Sequence, residues 1–263
     1  MARALDWQSR GRRFEPDLLH NKSPHLGGFC YFSTMQITKI NEDSTWLLQI
    51  DGLKVLIDPW LSPSQIDFHP WFSRQFHNQP QVAIETLPQP DFIFISHPFT
   101  DHCNKETLLQ FAADIPILAL PSVLKKINKW RHFKTLLSLD EAPFALRQLK
   151  TKRALVHKAF QISSKEKSLI YAPHGAVLSE DSHANVLITT TLSYRLPFFI
   201  GGTINMGLQK ALALKEKIGA SYLLATHDEQ KRAEGFVSKV ASIKFEAHPE
   251  VLSLEVGATF IVE

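Results

Sequence analysis

Two cysteines, Cys30 and Cys103, in 263 residues are too few for a disulfide framework in a chain of this length and fit a reducing compartment. No apolar stretch approaches the roughly 18–20 residues that cross a bilayer, so no membrane-spanning helix is expected. Fixed-period repeats and low-complexity tracts are lacking too, which excludes solenoid and array architectures. Charge of one sign is also scarce. Lysine and arginine total 29 against 26 acidic residues, and most of that excess lies in residues 1–34, where Arg3, Arg10, Arg12, Arg13 and Lys22 face Asp6, Glu15 and Asp17. The rest of the chain has no basic footprint for nucleic acid. These absences leave a cytoplasmic protein with a small-molecule substrate, no nucleic-acid or membrane partner, and an open possibility of a homo-oligomer.

What is present is a core. At 44% apolar residues, the chain can bury one large domain. Residues 1–34, with Gly11, Pro16, Pro24, Gly27 and Gly28 and no apolar period, read as an irregular tail. They lack the compact apolar core of a secretory signal, and their acidic residues weigh against a transit peptide. Met35 is an alternative start that would place the tail upstream of a domain over 35–263.

From Met35 the pattern is of strands. "MQITKI", "STWLLQI" and "KVLIDPWL" follow one another, with Asp51-Gly52 as the hairpin turn between the last two. Residues 62–90 carry five prolines and Phe68, Trp71, Phe72 and Phe76; a stretch of that length reads as a binding loop or lid, with core packing or a dimer contact as alternatives. "DFIFIS" is a buried strand, followed by a helix over "NKETLLQFAAD" that Asn104 caps. "IPILAL" and "SVLKKINKWRHF" repeat strand then helix, with Ser122 as the cap. A hairpin over "ALVHKAFQIS" and "SLIYAPHG", the strand "NVLITTTL", a helix "NMGLQKALALKEKIG" closed by Gly219, the strand "SYLLATH", a helix "GFVSKVASIKF" and two terminal strands complete the order. Hairpins first and β-α units after predict an α/β fold of two sheets with helices outside. The "SKEK" and "KKINK" clusters read as solvated surface.

Three histidines follow predicted strands directly: His97 after "DFIFIS", His174 after "SLIYAP" and His227 after "SYLLAT". If these strand ends share an edge, their loops converge on one crevice. Asp101 and His102 lie just beyond His97. Imidazole with carboxylate suits zinc, iron or manganese better than calcium or magnesium. Any one of twelve histidines is by default structural, and it is the joint pattern that points to a shared site. Cys103 reads as a buried small residue rather than a thiolate ligand.

These residues resemble the metallo-β-lactamase fold, in its lactonase-like, metal-dependent hydrolase branch, over roughly 35–263. "STWLLQIDGLKVLIDPWL" is similar to that family's opening hairpin with its Asp-Pro, "FISHPFTDHCN" to its H-x-H-x-D-H motif, and "LLATHDE" to its last histidine at a strand end. Two departures stand out. Phe99 replaces the second histidine of the motif, and His174 stands where a bridging aspartate is expected; His157 is the nearest candidate for a missing intermediate histidine. The resemblance implies a four-layer αββα sandwich, with one of the family's two half-sites lost at Phe99 and the other kept by Asp101, His102 and His227. The expected centre is therefore a single divalent transition metal, most simply zinc, with iron or manganese as alternatives. Asp101, His102 and His227 would hold it, with His97 and His174 as further ligands or as partners behind them. Asp101, or Asp228 if Asp101 is engaged by metal, would orient a metal-activated water for hydrolysis of a small ester, lactone, amide or phosphoester. Asp58 would fix the tautomer of a ligand histidine, or merely end a strand before proline. The alternative function is a non-catalytic binding protein that has given up ligands. A nuclease is a third reading, disfavoured by the near-neutral core charge.

Overall fold

The computed structural model describes residues 35–152, 155–229 and 231–263; the tail expected over 1–34 lies outside the described residues. The leading hairpin forms as its sequence predicts. Trp46–Ile50 and Leu53–Ile57 pair antiparallel around Asp51 and Gly52, whose φ angles of 50° and 81° place both in the left-handed region that hairpin turns of this length demand. Met35–Lys39 and Thr259–Val262 add on one side. Phe92–Ile95, Ile117–Ala119 and Leu136–Leu137 add in parallel on the other, giving a seven-stranded sheet. A second, six-stranded sheet runs in the order Val251–Leu252, Tyr222–Ala225, Val186–Thr189, Ser168–Ala172, Ala159–Ser163 and Ala145–Leu149.

Alternation along these strands makes the layers. Trp46, Leu48 and Ile50 point into the same core as Phe160, Ile162, Leu169 and Tyr171 of the other sheet, while their neighbours Leu47 and Leu56 point outward. The outward face of the first sheet is covered by Leu108, Val123 and Ile127 from two short helices. The outward face of the second is covered by Ala211, Leu214 and Ile218 from the helix Leu208–Ile218. Helix, sheet, sheet, helix is the expected αββα order. Within the central core Phe94 and Phe160 meet edge to face across the two sheets at 5.1 Å. Two buried aromatic donors also bridge the sheets: Trp46 Nε1–H donates to Thr226 Oγ1 at 2.8 Å and Tyr171 O–H to Asp58 Oδ2 at 2.8 Å.

The helices differ most from expectation. Asn104 does cap, its side chain accepting from Thr107 N–H at 2.9 Å, but the helix is one turn, Lys105–Leu108. The chain then turns so that Phe111 and Ile115 reach the outer core, burial that a longer straight helix would forgo. The next helix is Pro121–Asn128 with proline at its first position and no side-chain cap; Pro121 supplies the start that Ser122 was expected to cap. "GFVSKVASIKF" divides into a short helix, Phe236–Val240, and a strand, Ser242–Lys244. That strand completes a small sheet with Ser193–Arg195 and Thr203–Met206. Residues 62–90 are likewise not a bare loop. Ser64–Asp67 and Ser73–Phe76 form a ribbon to which Arg232–Glu234 adds a third strand. His77 anchors it from below, with Nδ1 2.8 Å from Glu229 Oε2 and Nε2 3.2 Å from the Trp60 carbonyl.

Candidate metal centre

Five residues around the centre stand at the carboxyl ends of strands, while Asp101 and His102 lie on the turn that leads into the helix Lys105–Leu108. Asp58 follows Leu53–Ile57, Ser96 and His97 follow Phe92–Ile95, His174 follows Ser168–Ala172, and His227 follows Tyr222–Ala225. Asp58 and His227 have positive φ values of 46° and 59°, conformations that non-glycine residues hold only when the surroundings impose them. The strand ends do converge. Ring centroids of His102 lie 4.9 Å from His174 and 5.2 Å from His227, and those of His174 and His227 are 4.8 Å apart.

Each of these three rings is fixed from behind. His102 Nδ1 lies 2.7 Å from Asp58 Oδ2, His174 Nδ1 lies 2.8 Å from Asn205 Oδ1, and His227 Nδ1 bonds Asp43 Oδ1. A carboxylate or amide oxygen only accepts, so each Nδ1 carries a proton and Nε2 is the nitrogen turned inward, a lone pair there whenever the ring is neutral. Nε2 of His102 and Nε2 of His174 face each other at 2.9 Å. His227 Nε2 is buried without a hydrogen bond; Asp101 Oδ2 lies 3.2 Å from it, within ion-pair distance but poorly aligned. Asp101 Oδ1 is 3.9 Å from His102 Nε2. Imidazole nitrogens and a carboxylate brought this close together make a ready-made ligand set for a cation. The donor set and its fixed tautomers fit a divalent transition metal.

The surrounding groups complete the electrostatics. Asp58 accepts from Ser96 N–H at 2.7 Å, Ser96 Oγ at 2.5 Å, Tyr171 O–H and His102. Burial acts to raise the Asp101 pKa, but the imidazoles of His102 and His227 override it and hold the carboxyl well below its usual range. Burial likewise acts to lower His227, and the Asp43 carboxylate reverses this and brings it up to about 9. For His174, burial and the neighbouring His227 and His102 act together, well below the ordinary value. Lys231 Nζ, 2.7 Å from Asp43 Oδ1 and 4.9 Å from the Trp60 ring centroid, balances the second-row carboxylate.

The remaining expected residues are engaged by the protein or sit elsewhere. His97 has a nitrogen within 4.8 Å of those of His102 and His174, yet its Nε2 is 2.8 Å from the Val156 carbonyl and its Nδ1 2.7 Å from Ser96 Oγ. Both nitrogens thus have protein partners, while one of them stays close enough to those of His102 and His174 to belong to the same ligand group. Asp228 is drawn away altogether: its carboxylate accepts from Thr190 Oγ1, Thr191 N–H and Oγ1, and Leu192 N–H, at 2.6–3.3 Å. It holds the loop after Val186–Thr189. His157 is buried with Nε2 3.0 Å from the Ile204 carbonyl, outside the cluster. Burial pushes the Cys103 thiol up to about 12, which fits a core residue of the outer layer.

Asn205, Asp43, Lys231 and Tyr194 are the site residues that the sequence did not disclose. Asp43 lies in a turn that Asn41 builds, its Oδ1 accepting from the N–H groups of Asp43 and Thr45 at 3.0 Å each. The polar run "NEDST" between two apolar strands was the one available signal. Gly175 belongs here for a steric reason. With φ at 80° and a Cβ that would come 2.8 Å from Met206 Cβ, any side chain must push away the strand that carries Asn205. Gly175→Ala is expected to cost about 1–3 kcal/mol and, in thermal melts with and without zinc, to diminish the metal-dependent rise in Tm.

The family model described as a beta-lactamase superfamily domain matches residues 36–227. The chain belongs to this superfamily. Solved structures with the metallo-β-lactamase fold agree with the architecture. An isothiocyanate hydrolase from Delia radicum gut bacteria superposes with a TM-score of 0.63 at 16% identity, over 86% of this chain and 98% of that one. A possible metal-dependent hydrolase from Veillonella parvula gives 0.60 at 15% identity, over 86% and 99%. At such identities the likeness is one of fold. A putative Rieske 2Fe-2S iron-sulfur protein of Mycobacterium tuberculosis is 28% identical over 109 residues, 38% of this chain, so the match spans one fifth of that protein's length. The superfamily motif H-x-H-x-D-H stands here as His97-Pro98-Phe99-Thr100-Asp101-His102, with Phe99 beside the centre at 5.7 Å from the His97 ring and 6.0 Å from that of His174.

Proposed function

We propose that this chain is a metal-dependent hydrolase of a small ester, lactone, amide or phosphoester, built around one divalent transition metal, zinc in the simplest case. The observation that carries this reading is the pair of ligand groups joined at His102, namely Asp101, His102 and His227 on one side and His97, His102 and His174 on the other, with Nδ1 of His102, His174 and His227 each fixed on an oxygen. His102, His174, His227 and Asp101 would hold the ion. A second ion finds few donors, since Phe99 has none and His97 is engaged by Val156 and Ser96.

Bound there, a zinc ion polarises a carbonyl or phosphoryl oxygen and brings the pKa of water from about 15.7 towards about 7. The chain's own residues do the rest. Asp58, Asn205 and Asp43 hold Nδ1 of the three imidazoles, which orients each ring with Nε2 towards the centre. Asp101, with one carboxylate oxygen on the ion, would have the other for orienting the attacking water, since Asp228 is held by Thr190, Thr191 and Leu192. Tyr194 lines the cavity above Asp101 and His174, with its hydroxyl pKa pushed up to about 12 by burial and by Asp67 and Asp101; it is a proton donor placed for the oxygen of the scissile group. Tyr194 and Lys231, from two separate chain segments, line the same cavity.

The direct test is metal analysis of protein expressed with zinc, followed by hydrolysis assays on neutral esters, lactones and phosphoesters. About one equivalent of metal, with activity lost on chelation and restored by zinc, is expected. Metal-free protein after supplementation would remove the basis of the proposal.

A further inference from the structure

Two cavities meet at the centre. One, of about 490 Å³, is lined by Lys231, Glu229 and Asn205 besides Asp101 and His174. The other, of about 520 Å³, shares Asp101, His174 and Tyr194 but extends between apolar walls: Phe72, Phe99, Leu196, Ile200, Ile204 and Val237. These walls come from the ribbon, the degenerate motif, the hairpin from Ser193–Arg195 to Thr203–Met206 and the short helix Phe236–Val240, so four separate segments of the chain supply them. Phe68 and Leu155 line the same cavity and yet are 87% and 81% exposed, which places them at its mouth. The charged side chains in its lining, among the described residues, are Asp67 and Asp101, with no lysine or arginine. Asp67 is held there by Thr100, Ser73 and Gln65.

We infer that this second cavity is the subsite for an apolar acyl or aryl group, and that the chain selects neutral esters, lactones or amides with an apolar body over phosphoesters. For its chemistry the inference rests on the hydrolase reading; for binding it stands alone. An anion entering the cavity would meet Asp67 and, among the described residues of the lining, no lysine or arginine to pair with it. A hydrocarbon group would instead exchange water for aromatic and aliphatic walls, at about a threefold gain in affinity for each methylene buried. Phe99 then has a positive role. The residue that displaces a ligand histidine from the motif is the wall where the apolar cavity meets the centre. In the reaction, water oxygen bonds to the acyl carbon, the bond from that carbon to the leaving oxygen or nitrogen breaks, and the proton released from water ends on the leaving group. The apolar part stays in the cavity throughout.

The test uses the full metal-loaded chain and the neutral fluorophore phenylnaphthylamine. Its fluorescence should rise saturably and be reversed by ethyl hexanoate at least about tenfold more effectively than by hexyl phosphate. Leu196→Arg should weaken probe binding about tenfold or more, and Phe68→Ala, at an exposed position that does not threaten folding, about threefold. In turnover, para-nitrophenyl hexanoate should exceed para-nitrophenyl acetate in kcat/KM by about tenfold or more, and Leu196→Arg should abolish that preference. Probe binding and displacement as stated, with no ester turned over, would support the subsite and sink the hydrolase reading. Ester hydrolysis without chain-length preference and without probe binding would do the reverse. Stronger displacement by hexyl phosphate, or binding unchanged in both variants, overturns the inference.

Discussion

His102→Ala is expected to empty the metal centre. His102 is the one residue that belongs to both groups of converging ligand atoms, and its Nε2 is 2.9 Å from that of His174. Removing an orienting partner behind a ligand costs about 10–100-fold in affinity, and removing the ligand itself should cost more. Metal content should therefore fall from about one equivalent per chain to below about 0.2, with hydrolysis reduced by about three orders of magnitude or more. The variant also leaves Asp58 short of a donor in a fully buried place, so a companion, His102→Gln, separates lost metal from lost folding by circular dichroism. The contrasting substitution is His97→Gln. Because both nitrogens of His97 are held by Val156 and Ser96, that variant should keep its metal. A chain that loses metal equally with either change would refute the exclusion of His97 from the residues that hold the ion.

Asp58→Ala should produce the largest loss of stability of any single change near the centre. The carboxylate is fully buried and accepts from Ser96 N–H, Ser96 Oγ, Tyr171 O–H and His102 Nδ1. Deleting it strands these donors, each at about 1–3 kcal/mol, and a total near 3–5 kcal/mol is the range seen when one side of a buried charged network is removed. The melting temperature should fall by about 6–20 °C for a domain of this size. Asp58→Asn is the sharper probe. It retains volume and an acceptor but adds N–H donors, which favour the opposite tautomer of His102 and turn a proton towards the metal. Metal affinity should drop about 10–100-fold while the fold persists, a separation that a purely structural Asp58 would not produce.

The fold was legible wherever local pattern and tertiary burial agree. Asp51-Gly52 between apolar runs specifies its turn by chain geometry, and the near-continuous apolar runs "FIFI", "VLIT" and "YLLA" read as strands covered on both faces. Gly219 ends its helix in the left-handed conformation that glycine takes at least cost. Where context decides, sequence was silent. The helix after Asn104 is cut to one turn because Phe111 and Ile115 gain more by turning inward, and "SIKF" becomes a strand because an edge was waiting at Tyr194. The site divides in the same way. Histidines that directly follow apolar strands are visible because parallel strands bring their carboxyl ends to one edge. Asn205 and Asp43 are invisible because their role is defined only by which ring they end up behind. His97 and Asp228 carry the right chemistry in the right neighbourhood, and backbone groups of Val156, Thr191 and Leu192 have the stronger claim on them.

The central claim is a single metal on three Nδ1-anchored histidines and Asp101. Its most direct test is the metal content of zinc-supplemented, exhaustively dialysed protein by mass spectrometry. About one equivalent of metal per chain is the predicted result. About two equivalents would contradict the loss of a half-site at Phe99, and less than about 0.2 would contradict the metal centre itself.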